Sequence, residues 1–176
     1  MVKFREWRRN DLSVTIIEDE GTIYINAEYR SHPFSLVFGH SETFAPFPFY
    51  VTVQNLVGTH YSSGFQGKGL SSLLVNTGLQ VLKRRFPPDS LVEGTVSDID
   101  DPQQPELKES CHLRRIRFWQ SFGFALVPRE DRLPLITATL NQLKEKEGGL
   151  VLGSFPRLIP LEQFHNIPPF GFWIGL

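Results

Sequence analysis

Gly64-Phe65-Gln66-Gly67-Lys68-Gly69-Leu70-Ser71-Ser72-Leu73-Leu74-Val75 is a glycine-rich turn that runs directly into an apolar helical pattern. Glycines at 64, 67 and 69 leave the backbone N–H groups unshielded by side chains. The helix behind them adds its own unpaired donors and the positive end of its dipole. A phosphate fits such a place. An ordinary strand-to-helix turn, with Ser71 or Ser72 capping the helix, is the plainer reading of the same residues.

Spacing narrows the choice of phosphate ligand. A Walker loop requires glycine at 62 and Ser or Thr directly after the lysine, where this chain has Ser62 and Gly69, so a nucleoside triphosphate is disfavoured. A dinucleotide fingerprint fails as well: Gly67-Lys68-Gly69 is followed at the third position by Ser72, and no βαβ unit opens the chain.

Working outward, Phe49 to Val57 is the longest β-favouring run and ends at Gly58, which makes the centre of the chain strand, loop, helix. In the helix, Leu70, Leu73, Leu74, Val81 and Leu82 share one face, and Gly78 on that face permits close approach to a sheet. Lys83, Arg84 and Arg85 suit its C-terminus, and Pro87-Pro88 stops it. Upstream, Val14–Glu18 and Thr22–Tyr29 read as a hairpin and Phe34–Phe38 as a third strand stopping at Gly39, while residues 1–12 are polar and ambiguous. Downstream come a strand over Ser90–Ser97, an acidic loop over Asp98–Pro105, and a second helix from Glu106 to Phe122 with Gly123 as its C′ residue. A short strand, Ala125–Val127, comes next. The spacing of Leu133, Ile136, Leu140 and Leu143 predicts a third helix to Lys146, and Leu150–Leu152 suits a strand. The tail from Pro156 is rich in Pro, Phe and Gly, and either packs on the core or offers a partner surface.

The segment Gln66-Gly67-Lys68-Gly69-Leu70-Ser71 resembles the acyl-CoA pyrophosphate loop of the GNAT superfamily of N-acetyltransferases, R/Q-x-x-G-x-G/A, with Ser71 as the one departure. Phe118-Trp119-Gln120-Ser121-Phe122-Gly123-Phe124 is similar to that family's F-Y-x-x-x-G-F signature. The resemblance spans about residues 49–128. It implies an α/β (α+β) fold with a mixed, mostly antiparallel central sheet flanked by helices. Residues 1–176 then form a single acyl-CoA-binding domain, with 129–176 a C-terminal extension packing on its core. It also implies acetyl-CoA as co-substrate and direct acetyl transfer to a primary amine on a small molecule or a protein. The cofactor-binding residues would be Leu56, Val57, Gln66, Gly67, Lys68, Gly69, Leu70, Ser71, Ser72, Phe118 and Trp119. The family's frequent general acid, the Tyr of the F-Y pair, is Trp119 here, and indole has no labile proton to give. The strands before the loop come without the pair of helices that helps form the acceptor site in the family, so acceptor identity does not transfer. Two other readings are a catalytically silent CoA-binding sensor and a protein or nucleic-acid interaction module built on the aromatic tail and Arg114, Arg115 and Arg117.

His60, just past the long strand, is a residue type whose unperturbed pKa suits a general base, and Tyr61 is a candidate acid; a surface loop is the plainer reading of both. Glu28 is a further candidate base. Cys111 and His112 are adjacent, and adjacent helix positions point apart, so they form no nucleophile–base pair. No His/Cys spacing matches a zinc site. At 176 residues and 40% hydrophobic, the chain can bury one sizeable core, and its formal charge of -1 gives no global attraction to nucleic acid or anionic membranes. A single cysteine excludes an internal disulfide. With no apolar run of membrane-spanning length and no signal-peptide core, a cytoplasmic protein is expected.

Overall fold

Val14 and Ile16, Ile23, Ile25 and Ala27, then Phe34, Leu36 and Phe38 recur at every second position along three successive runs and are at most 4% exposed. Alternation of that period puts them all on one side of a sheet. The computed structural model describes residues 2–42, 46–57, 69–97, 104–130 and 132–147, with the backbone of 157–159. Its elements are β1 (Lys3–Arg9), β2 (Leu12–Glu18), β3 (Thr22–Tyr29), β4 (His32–Glu42), β5 (Phe49–Val57), α1 (Leu70–Arg85), β6 (Leu91–Thr95), α2 (Pro105–Gln120), β7 (Ala125–Arg129), β8 (Arg132–Thr139) and β9 (Arg157–Ile159). The nine strands form one sheet in the order β7-β8-β6-β5-β4-β3-β2-β1-β9. Every neighbouring pair is antiparallel except β5 and β6, which run parallel because α1 crosses over between them.

α1 is where the helical spacing of the sequence takes effect. Eleven of its sixteen residues are buried, and the apolar ones among them, Leu70, Leu73, Leu74, Val75, Leu79, Val81 and Leu82, join Val51, Val92, Ile136 and the strand residues above in one cluster that also receives Trp119, Phe122 and Phe124. The approach is close. A Cβ at Gly78 would stand 2.7 Å from Phe38 Cε2 and 3.2 Å from Ile25 Cδ1. At the helix C-terminus Arg85 reaches Glu18 at 3.5 Å and donates to the Asp19 carbonyl at 3.1 Å, while Arg5 meets the same Glu18 at 3.3 Å. Phe86 closes the end against His40 and Phe49, each with ring centroids 5.1 Å away.

The expected helix-flanked fold is corrected. The described residues hold nine strands and two helices, and strands form at two places where the sequence pattern suggests a helix or is ambiguous. The third helix expected over Leu133–Lys146 is β8, seated between β6 and β7. There Ile136 and Ala138 are buried while Leu135, Thr137 and Thr139 point the other way. A strand with ladders on both sides satisfies its backbone twice over, and β-branched Ile136, Thr137 and Thr139 favour it. Pro134 lies at the register shift against β7, where a missing N–H is tolerated. Leu140 and Leu143 remain buried, but in the turn after the strand. At the other end, the polar residues 3–9 form β1, whose whole length pairs with β2. β4 runs through Gly39 to Glu42, since the ladders on both its sides reach the glycine and that with β5 continues past it. The expected α2 is present but ends at Gln120 with Ser121 as its C-cap, and Gly123, at φ 98, lies in the turn that follows rather than at C′. The strand expected at Leu150–Leu152 and the aromatic tail lie outside the described residues.

Two measurements test this packing. Gly78→Ala gains about 1 kcal/mol of helix propensity but forces a methyl group into buried Phe38, an overpacking cost of about 1–3 kcal/mol. A net loss of stability should show in urea unfolding, with Gly78→Val worse; a more stable Gly78→Ala would contradict the close contact. His40 gives a pH test. Burial first and the Arg85 charge second lower its pKa from 6.5, and the backbone contact to Asp19 only partly opposes them. Because the folded chain refuses a proton that the unfolded chain accepts, this contribution is full above pH 6.5 and is lost as pH falls through the lowered folded value. His40→Gln should flatten that acid limb of the melting-temperature profile.

Candidate functional site

The parallel pair of the sheet is short. β5 matches β6 only from Tyr50↔Leu91 to Val53↔Gly94, yet β5 runs on to Val57 and stays paired with β4 through Val37↔Asn55, Leu36↔Leu56 and Ser35↔Val57. The register of β4 against β5 shifts between Val37 and Phe38, leaving Gln54 as the unmatched residue. A bulge of this kind bends its strand and raises the local twist. Among the described residues, nothing pairs with Gln54–Val57 on the β6 side. The strands part after Val53 and Gly94, and among the described residues the far half of β5 is left as a free edge of N–H and C=O groups.

α1 begins on the same side of the sheet's mid-line. Its C-terminal Phe86 packs on Phe49 at the start of β5, so its N-terminus points toward the end of β5. Gly69 is the N-cap residue, at φ 78 and ψ 8, and no side chain caps the helix. Its carbonyl accepts the first helical bond, from Leu73 N at 2.9 Å. The amides of Leu70, Ser71 and Ser72 therefore have no acceptor within the helix and point along its axis beyond its start. The first turn contains no acidic residue, which leaves the dipole end uncompensated.

The residues expected to form the site are distributed unevenly. Gly69, Ser71 and the backbone of Leu70 and Ser72 stand at the helix start; the Leu70 side chain is core and Ser72 is buried. Leu56 leans on the core side and Val57 is half-buried at the free edge. Trp119 is 7% exposed, edge-on to Phe118 at 5.3 Å and to Phe124 at 5.5 Å. Its indole is a packing element. Phe118 carries the Lys146 ammonium 5.9 Å above its ring. Arg115 donates to the Ser97 carbonyl at 2.7 Å and Arg114 to Cys111 Sγ at 3.2 Å. Glu28 is exposed on β3. His60, Tyr61, Gln66, Gly67 and Lys68 lie outside the described residues.

A group that spacing did not disclose sits beside the parting strands. Glu93, one residue before Gly94, accepts a hydrogen bond from Tyr50 Oη at 3.0 Å and another from Thr137 Oγ1 at 3.1 Å. Its neighbours Val92 and Gly94 face α1, so Glu93 projects from the opposite face. The pKa of Tyr50 is raised above 10, by burial first and then by the Glu93 bond and charge, against a smaller lowering from Thr52. The available signal in the sequence was a lone carboxylate within the apolar Leu91–Gly94 run. By contrast, a groove lined by Lys83, Phe86, Pro88, Leu140 and Asn141 lies at the carbonyl end of α1, the end unsuited to an anion. Among the described residues no three His, Cys, Asp or Glu side chains group to hold a metal, and no helix is long and apolar enough to cross a membrane.

No protein-family model, curated protein or solved structure matches the chain.

The Glu93–Tyr50 bond has a spectroscopic signature. Glu93→Gln removes the carboxylate charge that helps raise the phenol, so Tyr50 should ionise at lower pH than in wild type. An NMR titration of its ring carbons reads this directly, and an unchanged curve would show that the bond is not formed in solution.

Proposed function

We propose that the chain binds acyl-CoA and transfers its acetyl group to a primary amine. The observation that carries this reading is the free edge of Gln54–Val57 on the same end of the sheet as an uncapped helix start at Gly69. An extended ligand with successive secondary amides can add to such an edge as a strand does. A pyrophosphate at the ligand's other end suits the helix-start amides of Leu70, Ser71 and Ser72. Amides joined to a pyrophosphate describe the pantetheine arm of CoA. The loop resemblance at Gln66–Ser71 independently names the same ligand.

In the transfer, the amine nitrogen attacks the thioester carbonyl carbon. The C–N bond forms, the C–S bond breaks and sulfur leaves with the electron pair as thiolate, while the nitrogen loses its proton to water. Backbone N–H groups at the free β5 edge are available to hold the carbonyl oxygen as charge develops on it. The rest of the rate comes from placing amine and thioester side by side. Trp119 supplies no proton. A second reading, a CoA-binding sensor without turnover, is favoured by that burial of Trp119 in the position of the family's acid.

Calorimetric titration with acetyl-CoA and with free CoA tests the reading; binding should be seen at submillimolar concentration, and its absence with both ligands would refute it. Gly69→Val places a β-branched residue at φ 78, which costs about 1–3 kcal/mol of strain and moves the amides that meet the phosphates. CoA affinity should fall by about tenfold or more in a chain that still folds. Following thiol release over an amine panel separates transferase from sensor. Trp119→Phe should keep any turnover within about tenfold of wild type, because the indole supplies packing and no proton; loss of a general acid would cost about 10²–10⁴-fold.

A further inference from the structure

Thr22, Gly39, Thr52, Glu93 and Thr137 form one cross-strand row through five adjacent strands. Residues directly opposite one another in such a row share a face, here the face turned away from α1. Glu93 is the single charge in the row, among hydroxyls and a glycine. Its carboxylate has about four lone-pair positions, and the Tyr50 and Thr137 hydroxyls use two of them from either side. Glu93 takes no part in the salt bridges that Glu6, Asp11 and Glu18 make. Arg129, which reaches this face from β7, gives its guanidinium to the Leu133 carbonyl at 2.6 Å and to Thr95 Oγ1 at 3.1 Å. Among the described residues, the carboxylate of Glu93 is thus oriented by two neutral donors and makes no ion pair.

We propose that Glu93 is the recognition site for the primary ammonium group of an amine ligand, with Tyr50 and Thr137 as the positioning residues that aim its oxygens. An ammonium has three donors and no acceptor. The remaining lone pairs of Glu93 and the Thr52 hydroxyl across the ladder match that set. A charge-assisted bond to a fixed, half-buried carboxylate is stronger than one to a neutral group, so the site selects cationic amines over neutral and anionic analogues. Place adds to the chemistry. Glu93 precedes the last residue at which β5 and β6 are joined, on the face opposite α1. The identity of the bound amine as an acyl acceptor rests on the proposed acetyl transfer; recognition of the ammonium does not. In that setting the amine is held on one face of the sheet at the point where the strands open toward the thioester.

The experiment uses the full chain with ¹³C-labelled tyrosine. The Tyr50 ring resonances are followed while n-butylamine or putrescine is added, with propionamide and acetate as neutral and anionic controls. The amines should shift Tyr50 saturably and the controls should not. Glu93→Gln, close to isosteric, should abolish the response, and Glu93→Asp should restore part of it. Tyr50→Phe, read through Thr137, should weaken amine binding several-fold, as loss of a positioning hydroxyl requires; a purely structural hydroxyl would leave that affinity unchanged. The proposal is overturned if no amine shifts Tyr50 in wild type, if acetate shifts it equally, or if Glu93→Gln responds as wild type with an unchanged melting temperature. Calorimetry with acetyl-CoA on the same samples keeps the two readings apart. Amine response without CoA binding would sink acetyl transfer and leave the ammonium site standing. CoA binding without amine response would sink the ammonium site alone. Where both hold, kcat/KM for putrescine should fall at least about tenfold in Glu93→Gln, chiefly through KM, with CoA affinity as in wild type.

Discussion

The contact on which the structure depends is the bare helix surface at Gly78 lying on Phe38 and Ile25. A sheet this wide needs its apolar side covered, and the described residues give most of that task to α1. The helix can reach Phe34, Leu36 and Phe38 together with Val51 and Val92 only by coming close. Each buried aliphatic or aromatic side chain there contributes about 1.5–3 kcal/mol relative to exposure. The same seating fixes the ends of α1. Glu18, Arg5 and Arg85 tie its C-terminus to the start of the sheet, which aims its N-terminus at the end of β5.

Much of this was legible in the chain, and the failures have physical causes. Phe49–Val57 was readable as a strand because β-favouring residues predominate in it, and α1 because its apolar face keeps a helical period between a glycine and two prolines. Gly123 could be placed as a helix terminator because little else adopts φ 98. β8 was not legible. Leu133, Ile136, Leu140 and Leu143 satisfy helical spacing by accident, while the deciding fact, two partner strands waiting on either side, is tertiary. β1 was hidden by its polarity, since an edge region needs little burial to form a ladder.

The candidate site divides along the same line. The start of α1 carries its signal in local composition, glycines before an apolar period, and reading that signal needs no fold. Glu93 carries none. Tyr50 is 43 residues distant from it and Thr137 is 44, and only the ladder order brings the three together. The free edge of β5 is likewise a difference in length between two strands, which neither strand records by itself. β6 stops at Thr95, and the consequence is felt on β5.

The strand order also dictates how the chain must assemble. β1 to β5 each lie beside their neighbour in sequence, so this half closes through short loops that cost little entropy and form early. The remainder cannot proceed in that way. β8 must enter between β6 and β7, and β9 must return to the opposite border, where Phe4 meets Ile159. The pairing that completes the sheet therefore joins Phe4 to Ile159, with every other strand of the sheet lying between them in sequence. On the ribosome, the β1–β5 meander emerges before β9, so its outer border stays unpartnered until β9 follows. The charged residues of β1, Lys3, Arg5, Glu6, Arg8 and Arg9, stand on the strand that must stay free of foreign chains during that interval.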